Sequence, residues 1–574
     1  MNFEIEVNKT NIPAKKGETI LSALEKAGIK VPTICSMKDF SPTGACRMCV
    51  VEIEGRPNLV PACSYPVEEW MKIKTHSPRV IKARKTIVEL LLANHPDDCL
   101  YCERNGNCEL QDLAEELNVR ERRIPGKKTK YKIDKSSASI IKEPSKCILC
   151  GRCVRVCEEL QSVSTLDFIN RGSNTLIATA FNKDLNFSNC INCGQCVMVC
   201  PTGALVEKIN FQELESQLHD PAKTVVVQHS PTVSVSLAEE FGLKPGKDIN
   251  GLINAALRKI GFSKVFETAF GTDLTILEEC EELLERIDKK ENLPMFSSCC
   301  PGWIKYMEEF EPSLLPLLAS TKSPQQVLGT IIKNWLSERE NLKPTDIFSV
   351  SIMPCTAKKF EAQRVEMTSK GISDIDAVIT TRELARLIRL HGIDLNSLEP
   401  ELPDNPMQTA SSAGKIVGTS GGLMESVIRT LHFRLAGKEM KDYKIQEVRG
   451  AKEYKEYQIK IKNEIYHFAV INSLKNIRDV LQRIKNKEMN LHFIEVMACE
   501  NGCINGGGQP IRKGENGVKY RMKALYDADE KEMIRVAHKN PQVQQLYQEF
   551  LGKPLGEKCK KLLHTTYVSR KVPL

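Results

Sequence analysis

The segment CILCGRCVRVC, residues 147–157, recurs 43 residues later as CINCGQCVMVC, residues 190–200, which Pro201 follows. In both copies the gaps between successive cysteines are two, two and three residues. Loops of that length bring neighbouring sulfurs close enough to bind one metal centre, and a doubled run indicates two centres side by side. The segment therefore predicts a small module built around metal sites.

The spacing of the two runs is typical of bacterial ferredoxins that hold two 4Fe-4S clusters. In that arrangement the fourth cysteine of each run binds the other cluster. Structural zinc is the alternative. It would require two separate sets of four ligands, and it does not explain why a cysteine recurs at every third position in both runs. The predicted ligand sets are Cys147, Cys150, Cys153 and Cys200 for one cluster, and Cys157, Cys190, Cys193 and Cys196 for the other.

A four-cysteine group precedes these runs, at Cys35, Cys46, Cys49 and Cys63. Its spacing resembles that of plant-type 2Fe-2S ferredoxins with a wider first gap, and Gly44 allows a tight loop just before the inner pair. One 2Fe-2S cluster is predicted. Structural zinc is a more serious alternative here, and the absorption spectrum distinguishes the two.

A second upstream group has only three thiolates, which belong to Cys99, Cys102 and Cys108. A single histidine at a helix end is more often a cap or a surface residue than a metal ligand. No other unassigned cysteine lies between Cys63 and Cys147. His95 is therefore the simplest choice for the fourth ligand of a third accessory 4Fe-4S cluster. An imidazole ligand is expected to raise the reduction potential relative to four thiolates.

The chain has 574 residues, of which 22 are cysteines. A disulfide framework belongs to short secreted chains, and the first twenty residues lack the basic start and apolar stretch of a signal peptide. No run approaches 18 apolar residues, and a net charge of +8 is diluted over 81 basic and 73 acidic residues. We therefore expect a cytoplasmic metalloprotein that binds neither membranes nor nucleic acid.

Changes of pattern along the chain predict four domains. A strand at 3–7 and a helix up to Gly28 open the first, and an amphipathic helix from Val80 to Asn94 opens the second. Buried strands at 225–227, 348–353 and 493–496 indicate an α/β architecture after about residue 210. The predicted domains are a 2Fe-2S ferredoxin-like domain at 1–78, a His/Cys3 4Fe-4S domain at 79–125, a two-cluster ferredoxin domain at 126–209 and a catalytic domain at 210–574.

Three of the later strands run directly into cysteines, and the carboxyl ends of strands are where open α/β sheets form ligand crevices. The motifs around those cysteines read FSSCCPGW at 296–303, MPCTAKKFEA at 353–362 and EVMACENGCINGGGQP at 495–510. In these three motifs, which occur in order, the chain resembles the iron-only (FeFe) hydrogenases of the large clostridial type. The upstream cysteine groups extend the resemblance over essentially the whole chain.

The resemblance implies a multidomain fold, in which N-terminal α+β ferredoxin-like modules precede an α/β catalytic domain with an H-cluster between its lobes. An H-cluster is a 4Fe-4S cubane joined through a cysteine sulfur to a diiron unit with CO, cyanide and azadithiolate ligands. The implied activity is reversible, heterolytic reduction of protons to H2, with electrons relayed through the accessory clusters. The implied cubane ligands are Cys300, Cys355, Cys499 and Cys503, of which Cys503 bridges to the diiron unit.

The resemblance also places other residues at the H-cluster. Lys358 would donate hydrogen bonds to a cyanide, although alone it would be interpreted as a solvated surface lysine. The glycines at 506–508 would permit close backbone approach, for which a flexible turn is the alternative. The residues implied to line the pocket, each of which has ordinary core packing as its alternative, are Ser230, Pro231, Thr232, Gln325, Met353, Gly418 and Met497.

A proton route is implied as well. Cys299, which is adjacent to a cubane ligand, would pass protons to Glu279 and Glu282, with Arg286 near the exit. The two glutamates lie on one helix face, and an exposed acidic helix is the alternative interpretation. The relay serine of the family falls where this chain has Ala319, so Ser320 or an ordered water would have to take its place.

The implied partners are ferredoxin or a similar small electron carrier, H2 and protons, and the maturation proteins that supply the diiron unit. One alternative is the catalytic subunit of an NADH-coupled hydrogenase complex, although no nicotinamide or flavin fingerprint is found in the chain. Another is a hydrogen-sensing or iron–sulfur assembly relative. The presence of Cys299, Glu279, Glu282 and Lys358 argues against the latter.

Overall fold

The computed structural model describes residues 2–121, 123–511 and 517–570, so residue 1 of the first predicted domain and residues 571–574 of the last lie outside it. The chain opens with a five-stranded mixed sheet. The helix Ile20–Lys26, whose N-cap Thr19 accepts a hydrogen bond from Ser22, packs four buried side chains against the sheet. In spatial order the strands are Thr10–Lys15, Asn2–Val7, Lys72–Lys74, Val50–Ile53 and Val60–Pro61.

A helical segment follows the sheet. The helix Pro78–Asn94 begins at the cap Ser77 and ends at His95, as its apolar spacing predicts. A short 3-10 turn at Cys99–Tyr101 and the helix Glu109–Glu116 complete the segment. The arrangement places His95 and the three cysteines of this region around the ends of the two helices.

The two cysteine runs form a module with internal symmetry. Gly151 and Gly194 both adopt left-handed backbone (φ 73° and 71°), and each starts a helix, Arg152–Arg155 or Gln195–Val199. A π-helical turn, Val156–Leu160, continues the first helix. The module has two antiparallel strand pairs, Ile140–Lys142 with Leu205–Glu207 and Asp167–Ile169 with Leu176–Ala178. The sequence repeat is thus also a repeat in the backbone.

The rest of the chain contains two four-stranded sheets. The parallel sheet has the order Lys264–Glu267, Thr224–His229, Ile347–Met353 and Ala377–Thr380. The mixed sheet has the order Met295–Phe296, Phe493–Met497, Glu464–Asn472 and Tyr454–Ile461, with only the last pair antiparallel. The strands predicted at 225–227, 348–353 and 493–496 lie within these sheets. The predicted α/β fold with N-terminal ferredoxin-like modules is confirmed.

Helices cover the two sheets, and the longest, Thr268–Lys289, lies between them. Gly271 lets this helix approach the helix Pro324–Ile331, because a Cβ at Gly271 would lie 2.6 Å from the Pro324 carbonyl oxygen. The other helices of this part are Phe211–Leu218, Pro231–Ser234, Asn250–Ile260, Pro301–Phe310, Ser337–Arg339, Ala357–Ala362, Thr381–Leu390, Ser412–Ile416, Gly422–Ala436, Ile477–Lys485, Gly517–Lys531, Pro541–Leu546 and Glu557–Leu562.

The two-cluster module is docked on this α/β part through buried polar contacts. Arg382, at the start of the helix Thr381–Leu390, makes a two-pronged ion pair with Glu207 at 2.8 Å. Burial opposes ionisation of Glu207, but the guanidinium lowers the pKa of this carboxyl to about 2. Thr356 also donates a hydrogen bond to the Asn192 carbonyl at 2.8 Å. In the described part of the chain, no helix is long and apolar enough to cross a bilayer.

Candidate functional site

A candidate catalytic centre lies where the two sheets meet. Cys355 follows the parallel-sheet strand Ile347–Met353, and Cys499 follows the mixed-sheet strand Phe493–Met497. Cys300 is the N-cap residue of the helix Pro301–Phe310, just beyond the strand Met295–Phe296. Because the carboxyl ends of these strands face one region, the fold brings together cysteines that are up to about 200 positions apart in the sequence.

The four thiols are close enough to influence one another electrostatically. Burial raises the pKa of the Cys503 thiol, and the neighbouring thiols of Cys355 and Cys300 raise it further. The pKa of Cys499 is raised in the same way, first by burial and then by Cys355 and Cys300. Cys499 is buried, and Cys300, Cys355 and Cys503 are partly buried. Thiols grouped so closely need a bound cation to be stable as thiolates, which is what an iron cluster provides.

A cavity, named here the catalytic cavity, opens beside these thiols. Met353 and Met497 contribute the apolar lining, and Cys299, Cys355 and Cys503 contribute thiols. Ser230, Pro231, Gln325 and Gly418 line it as well. Thr232 is buried but is not among the lining residues, because it packs on Gly418, where an added Cβ would lie 2.0 Å from the Thr232 methyl.

Lys358 reaches the same cavity from the helix Ala357–Ala362 and is buried, so the interpretation as a solvated surface lysine is wrong. Its ammonium donates to Glu361 Oε2 at 2.9 Å, Ser323 Oγ at 2.7 Å and the Cys299 carbonyl at 3.2 Å. Burial opposes its charge, but Glu361 raises the pKa of Lys358 above its ordinary value. A fixed positive charge therefore lies at the wall of the cavity, where an anionic ligand such as cyanide would meet it.

The glycines at 506–508 are tightly packed and do not form a flexible turn. A Cβ at Gly507 would lie 2.3 Å from the Cys193 carbonyl oxygen, and one at Gly506 would lie 2.3 Å from the Pro354 carbonyl oxygen. Gln195 donates from Nε2 to Cys499 Sγ at 3.1 Å and to the Asn505 carbonyl at 3.0 Å. The cysteine-bearing loop of the catalytic centre is thus in direct contact with the two-cluster module.

Cys299 and Glu279 lie on the other side of the catalytic centre. The Cys299 thiol lines the catalytic cavity, and burial raises its pKa well above the ordinary range. Glu279 is completely buried, and burial raises its pKa to about 8. Its Oε1 accepts long hydrogen bonds of 3.4 Å from the amide and hydroxyl of Ser298, and its Oε2 has no partner among the described residues.

Glu282 lies one turn further along the helix Thr268–Lys289 and is also buried. It accepts hydrogen bonds from Arg286 at 2.6 Å and from the Ser320 hydroxyl at 2.9 Å. Ala319 is buried and has no hydroxyl, and the hydroxyl that reaches Glu282 belongs to Ser320. The interpretation of this helix as an exposed acidic surface is wrong for both glutamates.

The cysteines of the two runs line two cavities, and the fourth cysteine of each run lines the cavity of the other run, as the ferredoxin spacing predicts. The first dicluster cavity is lined by Cys147, Cys150, Cys153 and Cys200. The second dicluster cavity is lined by Cys157, Cys190, Cys193 and Cys196. Burial is the main cause of the raised pKa values of Cys147, Cys153 and Cys196. Each cavity therefore offers four thiols, which fits a 4Fe-4S cluster.

The two upstream groups are assembled as well. The thiols of Cys35, Cys46, Cys49 and Cys63 lie close enough to interact, because the thiols of Cys46 and Cys63 lower the pKa of Cys35, and the Cys63 thiol lowers the pKa of Cys49. A further cavity, the His95 cavity, is lined by His95, Cys99, Cys102 and Cys108. Gly203 closes it, because a Cβ there would lie 2.5 Å from Cys102 Sγ. Both donor sets fit the predicted clusters.

Several residues of the site were not predicted. Gln195 and Ser298 contact the catalytic cysteines or Glu279, and His564 contacts Ser320. Gln195 and Ser298 each stand next to a motif cysteine, which is a weak local signal. His564 has no such signal, because the fold alone brings it beside Ser320 from 244 positions away.

Family models match the chain in consecutive segments. The C-terminal domain of the iron only hydrogenase large subunit matches residues 223–507, and the iron hydrogenase small subunit matches residues 515–570. Upstream, a 2Fe-2S iron-sulfur cluster binding domain matches residues 1–78. The iron-sulfur binding region of NADH-ubiquinone oxidoreductase-G matches residues 84–123, and a 4Fe-4S dicluster domain matches residues 146–204.

Similar proteins extend over nearly the whole chain. The NADP-reducing hydrogenase subunit HndD of Solidesulfovibrio fructosivorans is 41% identical, and 99% of each chain is covered. Iron hydrogenase 1 of Clostridium pasteurianum is 39% identical over 98% of this chain and 99% of its own. A solved structure of apo [FeFe]-hydrogenase HydA1 from Chlamydomonas reinhardtii is 37% identical, with a TM-score of 0.58, and covers 63% of this chain and 99% of its own.

The fold and the site define an oxidoreductase in which iron–sulfur modules are docked on an α/β catalytic domain. The chain belongs to the iron-only hydrogenases. Its cofactors are accordingly iron–sulfur clusters in 2Fe-2S and 4Fe-4S domains, together with the H-cluster of that family.

Proposed function

We propose that this hydrogenase works reversibly, reducing protons to H2 with electrons from ferredoxin or a similar small carrier. The observation that supports the proposal is the convergence of four cysteines from three distant segments, of which Cys355 and Cys503 line the catalytic cavity and Cys499 contacts Gln195 of the two-cluster module. In this assignment one 2Fe-2S cluster and three accessory 4Fe-4S clusters serve one H-cluster. The four domains keep the ranges 1–78, 79–125, 126–209 and 210–574.

Cys300, Cys355, Cys499 and Cys503 would hold the cubane, and Cys503 would in addition hold the diiron unit. When bound, the H-cluster supplies an iron site at which H2 is formed or split heterolytically. The residues around it hold and orient this group. Lys358 would donate hydrogen bonds to anionic ligands of the bound group, while Met353 and Met497 keep the cavity apolar and limit water. The diiron unit itself has to come from maturation proteins.

The cavities lie in series, which supports an electron path with two entrances. The second dicluster cavity is next to the catalytic loop, where Gln195 binds Cys499. The His95 cavity meets the first dicluster cavity, because Gly203 lines the former while its neighbours Thr202 and Ala204 line the latter. The 2Fe-2S cysteine Cys35 packs in one apolar cluster with Cys150 of that same cavity. Both upstream sites thus lead to the first dicluster cavity.

The proposed proton route runs from Glu282 through Glu279 to the Cys299 thiol. Glu279 is suited to carry a proton near neutral pH, since its pKa is about 8. Its Oε2, which has no hydrogen-bond partner in the described part of the chain, can meet a donor or an acceptor. Because Ala319 provides no hydroxyl between the two glutamates, an ordered water is needed at that step.

The direct test is H2 evolution by the anaerobically purified, matured protein. With reduced ferredoxin as the only electron donor we expect steady H2 formation, and with H2 supplied we expect reduction of oxidised ferredoxin. Methyl viologen in place of ferredoxin provides the control, because it needs no specific docking surface. Activity with methyl viologen but none with ferredoxin would reject the proposed partner and leave the H2 chemistry in place.

A second function has one specific observation in its favour. The relative HndD is named as a subunit of an NADP-reducing hydrogenase, and its similarity covers 99% of this chain. The chain would then be the catalytic subunit of a complex coupled to a nicotinamide nucleotide, NADH or NADPH. Purification with its natural neighbours distinguishes the two, because stable extra subunits and nucleotide-dependent H2 formation are expected only for the complex.

A cytoplasmic location stays a prediction.

A further inference from the structure

The hydroxyl of Ser320 lies between a carboxylate and an imidazole. Its Oγ is 2.9 Å from Glu282 Oε2 and 2.8 Å from His564 Nδ1. His564 comes from the C-terminal part of the chain, which runs alongside the segment that contains Ser320. A backbone bridge joins Thr321 to His564, and the Thr565 amide donates to the Ser320 carbonyl at 2.8 Å. The imidazole is therefore held in a fixed position.

The other ring nitrogen is also committed. His564 Nε2 lies 2.9 Å from Glu278 Oε2, and the Glu278 carboxylate is completely buried. Glu278 also accepts hydrogen bonds from the Tyr547 hydroxyl at 2.5 Å and from the Leu555 amide at 2.9 Å. A carboxylate held in this way fixes the ring orientation and keeps a proton on Nε2. Nδ1 is left to exchange a proton with Ser320.

The donors and acceptors of His564, Ser320 and Glu282 allow two arrangements of the protons between them. In the first, His564 is doubly protonated, its Nδ1–H donates to Ser320, and Ser320 donates to the Glu282 carboxylate. In the second, the Nδ1 proton has moved to Ser320 Oγ and the Ser320 proton has moved to Glu282. His564 is then neutral and Glu282 is protonated. The two arrangements differ by one proton passed from imidazolium to carboxylate, with no other change in bonding.

Solvent reaches this group. A surface cavity of about 300 Å³, the exit cavity, is lined by Glu282, Arg286, Ser320 and His564. The remaining charged groups that face it are Glu285, Lys289, Glu291 and Lys560. Lys289, Glu291 and Lys560 are exposed, so the cavity opens at the surface. Protons from bulk water can therefore reach the imidazole without crossing the protein core.

We propose that His564 is the proton-exchange residue at the outer end of the route, and that it passes protons to Glu282 through the Ser320 hydroxyl. The inference rests on the proposed function, since it extends the route that ends at Cys299. Glu278 acts on the step only as a positioning residue, by fixing the imidazole. Ser320 therefore connects Glu282 to His564, and it does not replace the hydroxyl that is missing at Ala319 between the two glutamates.

The test replaces His564 by a side chain that keeps the hydrogen bonds but cannot carry a proton. A glutamine amide has both a donor and an acceptor and does not titrate. For His564→Gln we expect H2 evolution with reduced methyl viologen to fall about tenfold or more, while cluster content and the infrared bands of the H-cluster stay unchanged. His538→Gln is the matched control, because His538 is another largely buried histidine paired with a glutamate, Glu439, at 3.1 Å. The control should keep full activity.

Chemical rescue separates proton transfer from a structural role. His564→Ala leaves space that is continuous with the exit cavity, so added imidazole should restore much of the lost activity in a concentration-dependent way. Ser320→Ala should lose activity and gain nothing from imidazole, while Ser320→Thr keeps the hydroxyl and should remain active. Activity of His564→Gln within about twofold of the unaltered protein would overturn the proposal, and so would a His564→Ala loss that imidazole does not relieve.

Failure of this proposal can be distinguished from failure of the route itself. If Glu282→Ala abolishes H2 evolution while the His564 variants do not impair it, the route stands and His564 is excluded from it. If Glu282→Ala keeps full activity with an intact H-cluster, the proposed route is wrong, and the inference about His564 fails with it.

Discussion

The two-cluster module and the catalytic centre gather the same kind of ligand in opposite ways. In the module, two runs of 11 residues each supply the thiols, and Gly151 and Gly194 start equivalent helices. In the catalytic centre, the four thiols arrive from the ends of strands in two different sheets. Short loops define the first kind of site, whereas the packing of a whole domain defines the second. The two sites are expected to respond differently to mutation.

The largest expected difference comes from removing one cysteine at each site. Cys499→Ser should abolish H2 evolution and remove the CO and cyanide infrared bands, while the signals of the accessory clusters remain. Cys153→Ser should perturb one accessory cluster but leave those infrared bands in place, because the catalytic cavity does not include its thiol. Loss of the infrared bands in Cys153→Ser would show that the two sites are not independent.

The second largest effect on H2 evolution is expected from a substitution that leaves every proposed cluster ligand in place. Cys299→Ala should lower H2 evolution by about 10²–10⁴-fold, since general acid–base groups contribute that much, while the H-cluster still assembles. Infrared spectra and turnover measured on the same sample check this. Near-normal turnover in this variant would remove Cys299 from the proton route.

A smaller effect is expected at the interface between the two regions. Arg382→Met leaves the Glu207 carboxylate buried without its partner, which should destabilise the protein by about 3–5 kcal/mol and weaken docking of the module. Arg386→Met on the same helix is the control, because the Arg386–Glu103 ion pair is exposed and should contribute less than about 1 kcal/mol. Anaerobic urea unfolding of both variants measures the difference.

The same ion pair predicts a pH dependence. The pKa of Glu207 is lowered from 4.5 to about 2 in the folded protein, so the pair stabilises the fold fully above about pH 4.5. That contribution is lost as the pH falls toward 2. The difference between the unaltered protein and Arg382→Met should therefore be largest near neutral pH and shrink as the solution is acidified. A difference that grows on acidification would contradict the assignment.

The smallest effect on turnover is expected at the His95 cavity. His95→Cys gives that site four thiolates, which should keep its iron content and lower one reduction potential, while H2 evolution changes little. A redox titration of the accessory clusters detects the shift. An unchanged set of potentials would exclude His95 as a ligand.

The comparison also explains what the sequence could predict. The exchange of Cys157 and Cys200 between the two clusters follows from local spacing, and the structure separates the cysteines in the same way. Three strands that end in cysteines were sufficient to predict one shared crevice. Burial of Glu279 and Glu282 was not predictable from their spacing, because an acidic helix with the same pattern is normally exposed. The contact between Ser320 and His564 depends on the docking of the C-terminal segment, for which no local pattern exists.

The infrared spectrum of the matured protein tests the central claim most directly. If Cys300, Cys355, Cys499 and Cys503 together hold an iron cage with a diiron unit, the protein purified after maturation should show bands of CO and cyanide bound to iron. These bands should disappear in Cys499→Ser, while the accessory clusters persist. A fully matured protein that contains iron but shows no such bands would contradict the account.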